Sequence, residues 1–152
     1  MKMRKAGNKD IVVLAKLLHN YDVFEHDLDK RVEVTSEREY KKYLSKTFRD
    51  NSTTYIIAED GSKPVGFISY VIWKQGKMSA GAIQDTLIID GHRGKGIGKA
   101  LVRYVINKMK KAKCEYVKSG VRVKNKRAQK FWKKQGFKVN FNQVDYSMRK
   151  EL

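Results

Sequence analysis

Three alternating glycines, Gly94, Gly96 and Gly98, stand among Arg93, Lys95 and Lys99, just after the apolar residues Leu87, Ile88 and Ile89. Glycines let backbone N–H groups approach an anion without a Cβ in the way, and a helix start adds unpaired amides and partial positive charge. The stretch therefore reads as a phosphate cradle. A P-loop is excluded, because counting back from Gly98-Lys99 puts Arg93 at the first glycine and Ala100 where a magnesium-binding hydroxyl belongs. The dinucleotide fingerprint also fails: the glycine it requires after Gly94-x-Gly96 falls on Lys99, and after Gly96-x-Gly98 on Leu101.

About 30 residues further on, a second constellation places Asn125, Ala128, Phe131 and Trp132 ahead of Gly136-Phe137. Eight residues before Arg93 stands the pair Gln84-Asp85. Residues 22–39 hold seven acids against three Lys or Arg, including Glu25, Asp27 and Asp29, whereas residues 91–138 hold 17 Lys or Arg against Glu115 alone. His19, His26 and His92 lack metal-ligand spacing and read as surface histidines, and no metal site is expected. Cys114 has no partner for a disulfide or a zinc cluster and reads as a small packed residue.

The elements that must position these residues alternate strands with helices. A short strand precedes a helix over about 8–21, with Ile11, Leu14, Leu17, Leu18 and Tyr21 on its apolar stripe. A second helix starts after Ser36, whose hydroxyl and Glu39 form a capping-box pattern, and ends near Arg49. Strands at 53–59 and 65–73 form a hairpin across the polar turn 59–64, and 82–89 is a further strand. A helix over 97–113, a strand at 116–123, a short helix at 125–135 and two strands within 137–149 complete the pattern. The expected class is α/β with α+β character: a mixed, mostly antiparallel sheet of about seven strands flanked by about four helices.

At 152 residues with 41% hydrophobic content, the chain reads as one domain over 1–152 with a packed core. Its net charge of +18 favours anionic partners: a nucleotide cofactor, nucleic acid or an anionic membrane. No run approaches the roughly 20 apolar residues of a membrane span, and the N-terminus lacks a signal-peptide core. The expectation is a soluble, cytoplasmic protein.

The Arg93-x-x-Gly96-x-Gly98 motif, followed by strand, Asn125-x-x-Ala128 helix and Gly136-Phe137 exit, resembles the GCN5-related N-acetyltransferase superfamily. That resemblance implies the acyl-CoA N-acyltransferase fold and acetyl-CoA as cosubstrate. It implies that backbone at Leu87, Ile88 and Ile89 pairs with pantetheine, and that amides of Gly94, Lys95, Gly96, Ile97, Gly98 and Lys99 hold the pyrophosphate beside Arg93. Asn125 would hydrogen-bond the pantetheine arm, with Ala128, Phe131 and Trp132 packed beside it. The family often places a thiolate-protonating tyrosine where this chain has Trp132, whose indole has no suitable acidic proton; Tyr116, Tyr146 and solvent are the substitutes. Asp85 matches the second carboxylate of a Glu-Asp pair found in relatives that acetylate polyamines or amino sugars, so it is the candidate to bind or deprotonate the amine.

In the same family the segment joining the first two helices commonly walls the acceptor site, so Glu25, Asp27 and Asp29 are candidates to attract a cationic acceptor. A small polyamine or amino sugar is favoured. One alternative is a basic or nucleoprotein substrate, docked through Lys108, Lys110, Lys111, Lys113, Lys124, Lys126, Arg127, Lys130, Lys133 and Lys134. Another, of a different class, is a non-catalytic nucleic-acid-binding module on the same fold. Transfer would be direct, without an acyl-enzyme, and dimers are frequent in the family.

Overall fold

A computed structural model describes residues 1–141 and 145–152, with side chains described outside 140–147. The chain forms β1 (Lys2–Lys5), a 3-10 turn, α1 (Ile11–Leu28), α2 (Glu37–Asp50), β2 (Thr54–Asp60), β3 (Lys63–Gln75) and β4 (Met78–Ile88). It continues as α3 (Ile97–Lys111), β5 (Tyr116–Arg122), α4 (Lys126–Lys134), β6 (Lys138–Phe141) and β7 (Asp145–Glu151). The strands make one sheet in the order β1-β2-β3-β4-β5-β7-β6. Every neighbouring pair is antiparallel except β4 and β5. The expected class and element order are therefore observed.

Side-chain alternation along β2 and β3 divides the apolar residues between two cores. Tyr55, Ile57 and Phe67 face Leu14, Leu18 and Leu44 of α1 and α2. Ile56 and Ile68 face the opposite way, against Leu101, Val105 and Met109 of α3 and Trp132 of α4. The helices thus pair off across the sheet.

α2 starts as expected: Glu39 N donates to Ser36 Oγ at 3.2 Å, and Ser36 N donates to Glu39 Oε2 at 3.0 Å. α1 instead runs two turns beyond 21, to Leu28. The reason is Glu25, which occupies a stripe position where continued periodicity wanted an apolar residue; it is buried, but against polar partners. The β2–β3 turn tightens to Gly61-Ser62, and Pro64 enters β3 opposite Glu59 beside a bulge.

Two departures from regular pairing shape the sheet's centre. β4 and β5 pair only from Ala80 to Ile83 against Tyr116 to Ser119, so residues 84–88 of β4 have no neighbour on that side. Within β4, Gln84 and Asp85 together oppose the single residue Ser69, which is a β-bulge.

Gly66 lies against the unpaired part of β4, and a Cβ there would meet Leu87 O at 2.6 Å. A carbonyl in a ladder cannot swing aside as a side chain can. Gly66→Ala is therefore expected to lose about 1–3 kcal/mol, the usual scale of overpacking, read as a lower midpoint in thermal or urea denaturation.

Candidate active site

The gap between β4 and β5 opens into a cleft of about 330 Å³ that reaches the glycine loop and α4. Ile89 N donates to Val65 O at 3.1 Å, so Ile89 faces β3. Groups on an antiparallel strand alternate sides, so Leu87 also faces β3 while Thr86 and Ile88 turn their backbone groups into the gap. The expectation of pairing through Leu87, Ile88 and Ile89 is corrected accordingly: Thr86 and the N–H of Ile88 supply the open edge, the Ile88 carbonyl being taken by Arg93. Leu87 and Ile88 line the cleft, whereas Ile89 is not in its wall and packs into both cores.

The loop after β4 is held by Arg93, whose Nε donates to Ile88 O at 2.8 Å and whose Nη1 lies 2.7 Å from Asp90 Oδ1. Arg93 therefore braces the loop as well as lining the cleft. Gly94 and Gly96 adopt φ of 80° and 81°, a left-handed conformation that side chains disfavour. Gly96 is the α3 N-cap and offers no capping side chain. The first-turn amides of Ile97, Gly98 and Lys99 consequently point along the helix axis without helical acceptors, a setting that suits an anion. Gly94, Gly96, Ile97, Gly98 and Lys99 all line the cleft; Lys95 is exposed and lies outside its wall.

On the far wall, Asn125 is the N-cap of α4: its Oδ1 accepts from Ala128 N at 3.0 Å. Its Nδ2 donates to Glu25 Oε1 at 2.8 Å. Both ends of this side chain are committed within the protein, which the expected pantetheine bond alone did not foresee. Ala128, Phe131 and Trp132 line the cleft, and Phe131, Trp132 and Phe137 form a chain of edge-on rings with centroids 5.2 and 4.8 Å apart. Gly98 lets this wall close, since a Cβ there would meet the Phe131 ring at 3.2 Å.

Asp85 sits in the β4 bulge, tied by two bonds to Ser69: the Ser69 hydroxyl donates to Oδ2 at 2.7 Å, and Asp85 N donates to Ser69 Oγ at 3.0 Å. Burial pushes its carboxyl above the usual aspartate range, the Ser69 bond pulls the other way, and the nearby Asp22 carboxylate adds to the rise. Asp22 accepts from Tyr40 Oη at 2.7 Å and from Thr35 N at 3.0 Å. Burial holds the Tyr21, Tyr40 and Tyr55 phenols well above the ordinary tyrosine range, helped by Glu25 at Tyr21, by Asp22 at Tyr40 and by Asp85 at Tyr55. Asp22, Ser69 and Tyr21 escaped the sequence reading. Tyr21 was legible only as core stripe, and Ser69 becomes visible only when the bulge sets it against Asp85.

The proposed acidic wall is largely neutralised. Glu25 lies on α1, only 3% exposed, between Asn125 and Arg122, whose Nε is 3.5 Å away. Asp29, the α1 C-cap, accepts from Arg31 Nη2 at 2.6 Å and lies 3.6 Å from Lys124 Nζ. Asp27 alone is exposed, against Lys30 at 3.1 Å. Tyr116 is buried at the paired end of β5 against Trp73 and Arg149, outside the cleft wall. Tyr146 pairs through its backbone with Val121, and its side chain lies outside the described residues. His19 and His26 hold the α1–α2 connection through the Thr35 and Val32 carbonyls. His92, read as a surface residue, instead lines the cleft beside Asp60. Cys114 is buried, and burial raises its thiol. Among the described residues, no cluster of three metal ligands occurs and no helix is long and apolar enough to cross a membrane.

An unpaired parallel-strand edge opening onto a glycine-bounded helix start is an arrangement built for an extended chain ending in phosphates. The model of the acetyltransferase (GNAT) family matches residues 19–137, and the chain belongs to that family. It is 34% identical over 103 residues to MJ1207 of Methanocaldococcus jannaschii, described as an uncharacterized N-acetyltransferase. That match covers 66% of this chain, which spans under half (44%) of that relative. Among solved structures, smu.2055 from Streptococcus mutans UA159 superposes with a TM-score of 0.81 at 23% identity, covering 99% of both chains. The PaiA N-acetyltransferase from Thermoplasma acidophilum, in complex with coenzyme A, superposes at 0.76 and 19% identity, covering 99% of this chain and 98% of that one. At these identities the structural likeness speaks to fold alone.

Gly98→Glu places a carboxylate at the helix start and a side chain against Phe131. Calorimetric titration with acetyl-CoA is expected to show at least a tenfold loss of affinity, and unchanged affinity would remove the phosphate role from this loop.

Proposed function

We propose that the protein transfers the acetyl group of acetyl-CoA directly to a primary amine, in a ternary complex and without an acyl-enzyme. The observation that carries the reading is the single cleft in which the free edge of β4 meets the uncapped start of α3. When bound, acetyl-CoA supplies a thioester. Cofactor binding falls to the backbone of Thr86, the N–H of Ile88, the amides at 97–99, and the wall of Ala128, Phe131 and Trp132. The outward N–H of Ile88 is placed to bond a carbonyl oxygen that gains negative charge during attack.

The favoured acceptor is a small cationic amine of the polyamine or amino-sugar kind. Asp85 and Asp22 support this reading, because two carboxylates near one spot favour a cation beside them. Glu25 and Asp29 are committed to Arg122, Asn125, Arg31 and Lys124, which leaves Asp27 as the exposed member of the original trio. Asp85 takes a proton from the bound ammonium; its raised pKa makes it a stronger base than an ordinary aspartate. A second reading, a nucleoprotein acceptor, is favoured by α3 and α4. They share one face of the sheet and together carry ten Lys or Arg and no acid. Action in the cytoplasm and as a dimer belong to the same proposal.

Acetyl-CoA-dependent thiol release, corrected for hydrolysis, tests this with separate pools of small polyamines or amino sugars and of basic proteins. Stimulation by small amines supports the favoured acceptor, whereas stimulation by proteins alone, weakening steeply with salt, supports the second reading. No stimulation by either pool counts against transfer to amines. Asp85→Asn is expected to lower kcat/KM for the amine by about 10²–10⁴-fold while leaving the KM for acetyl-CoA within twofold. The active form is the carboxylate, populated only above its raised pKa, so wild-type kcat should fall on the acid side at higher pH than an ordinary aspartate would dictate. In Asp85→Asn that acid limb should vanish.

A further inference from the structure

Acetyl transfer leaves a thiolate, and a departing anion in a closed cleft needs a hydrogen-bond donor. Trp132 lies in the cleft wall, 5% exposed and packed edge-on between Phe131 and Phe137, and its indole N–H is far too weak an acid to give up a proton there. Asn125 on this wall is already committed, holding Ala128 N and Glu25.

Two cleft-lining residues differ: Thr86 Oγ1, on β4, and His92 Nδ1, in the loop after it, are each buried with no hydrogen bond among the described residues. A buried hydroxyl without a partner is costly and calls for an explanation. Thr86 also stands on the stretch of β4 that β5 leaves unpaired. Alternation settles its face. Ile88 packs with the α3–α4 core and Leu87 with the α1–α2 core, so Thr86 projects toward α4 and Asp85 toward α1.

We propose that the Thr86 hydroxyl is a catalytic hydrogen-bond donor to the sulfur of the departing thiolate. This rests on the acetyl-transfer reading above. Asp85 and Thr86 then flank the β4 edge from opposite faces. The amine arrives from the α1 side as an ammonium, gives one proton to Asp85, and its nitrogen bonds the carbonyl carbon and then releases its second proton to solvent. The C–S bond breaks with its electron pair passing to sulfur, on the α4 side, where Thr86 O–H donates to it. Threonine keeps its proton throughout, and the thiolate takes one from solvent after release.

The test uses Thr86→Val, which keeps the shape, and Thr86→Ser, which keeps the hydroxyl, each checked by thermal denaturation. Thr86→Val should lower kcat about tenfold, the scale of one hydrogen bond to a charged group, with Thr86→Ser within about threefold of wild type. A purely structural role would not move the second readout, the ultraviolet absorbance of the CoA thiolate titrated on the protein. The bound thiol should ionise at lower pH than free CoA in wild type and Thr86→Ser, and return toward free CoA in Thr86→Val. Affinity for desulfo-CoA should be equal in all three. Wild-type-like kcat and thiol titration in Thr86→Val overturn the proposal, as does a serine variant as impaired as valine. If Thr86→Val does not fold, wild type decides: no gain of affinity for CoA over desulfo-CoA as pH rises overturns it. A wild type that shifts the thiol titration yet acetylates no amine separates failure of the functional reading from failure of the thiolate site.

Discussion

The arrangement depends on the early parting of β4 and β5. Two parallel strands that stay paired leave no backbone for a ligand, but these pair over four residues and then diverge, so β4 keeps a free edge inside the protein. An exposed strand edge is ordinarily a liability. Here it is enclosed by α1 on one face and by α3 and α4 on the other, which turns it into a template for an extended chain.

The parting also decides which way chemistry runs. Because successive side chains on β4 face opposite sides, Asp85 meets the α1–α2 layer and Thr86 the α3–α4 layer. The bulge opposite Ser69 keeps this alternation from simply continuing down the strand, and Ser69 fills the kink by bonding both the backbone and the carboxylate of Asp85. Two carboxylates acquire opposite characters from their surroundings. Asp85, half-buried and desolvated near Asp22, is pushed toward its neutral form, while Asp29 beside Arg31 is held well below the usual range. Glu25 has a third role, tying the end of α1 to the N-cap of α4 across 100 residues of sequence.

Much of this was legible in the chain. Ser36 and Glu39 announce a helix start because capping is local, and the glycine loop announces an anion site because backbone access and charge are written in adjacent residues. The length of α1 was not legible, since Glu25 breaks the apolar stripe that periodicity follows and is buried only by virtue of Asn125 and Arg122. Nor were Tyr21, Asp22 and Ser69, which look like ordinary helix and strand residues until the sheet assembles them around Asp85.

The sequence by itself determined the element order, the anion cradle and the concentration of positive charge in residues 91–138, because each rests on spacing and composition within a short window. Only the tertiary structure decided which backbone groups of β4 are free, which acids are neutralised and which hydroxyl lacks a partner. Those properties depend on what packs against a residue from elsewhere in the chain, and no local pattern carries that information.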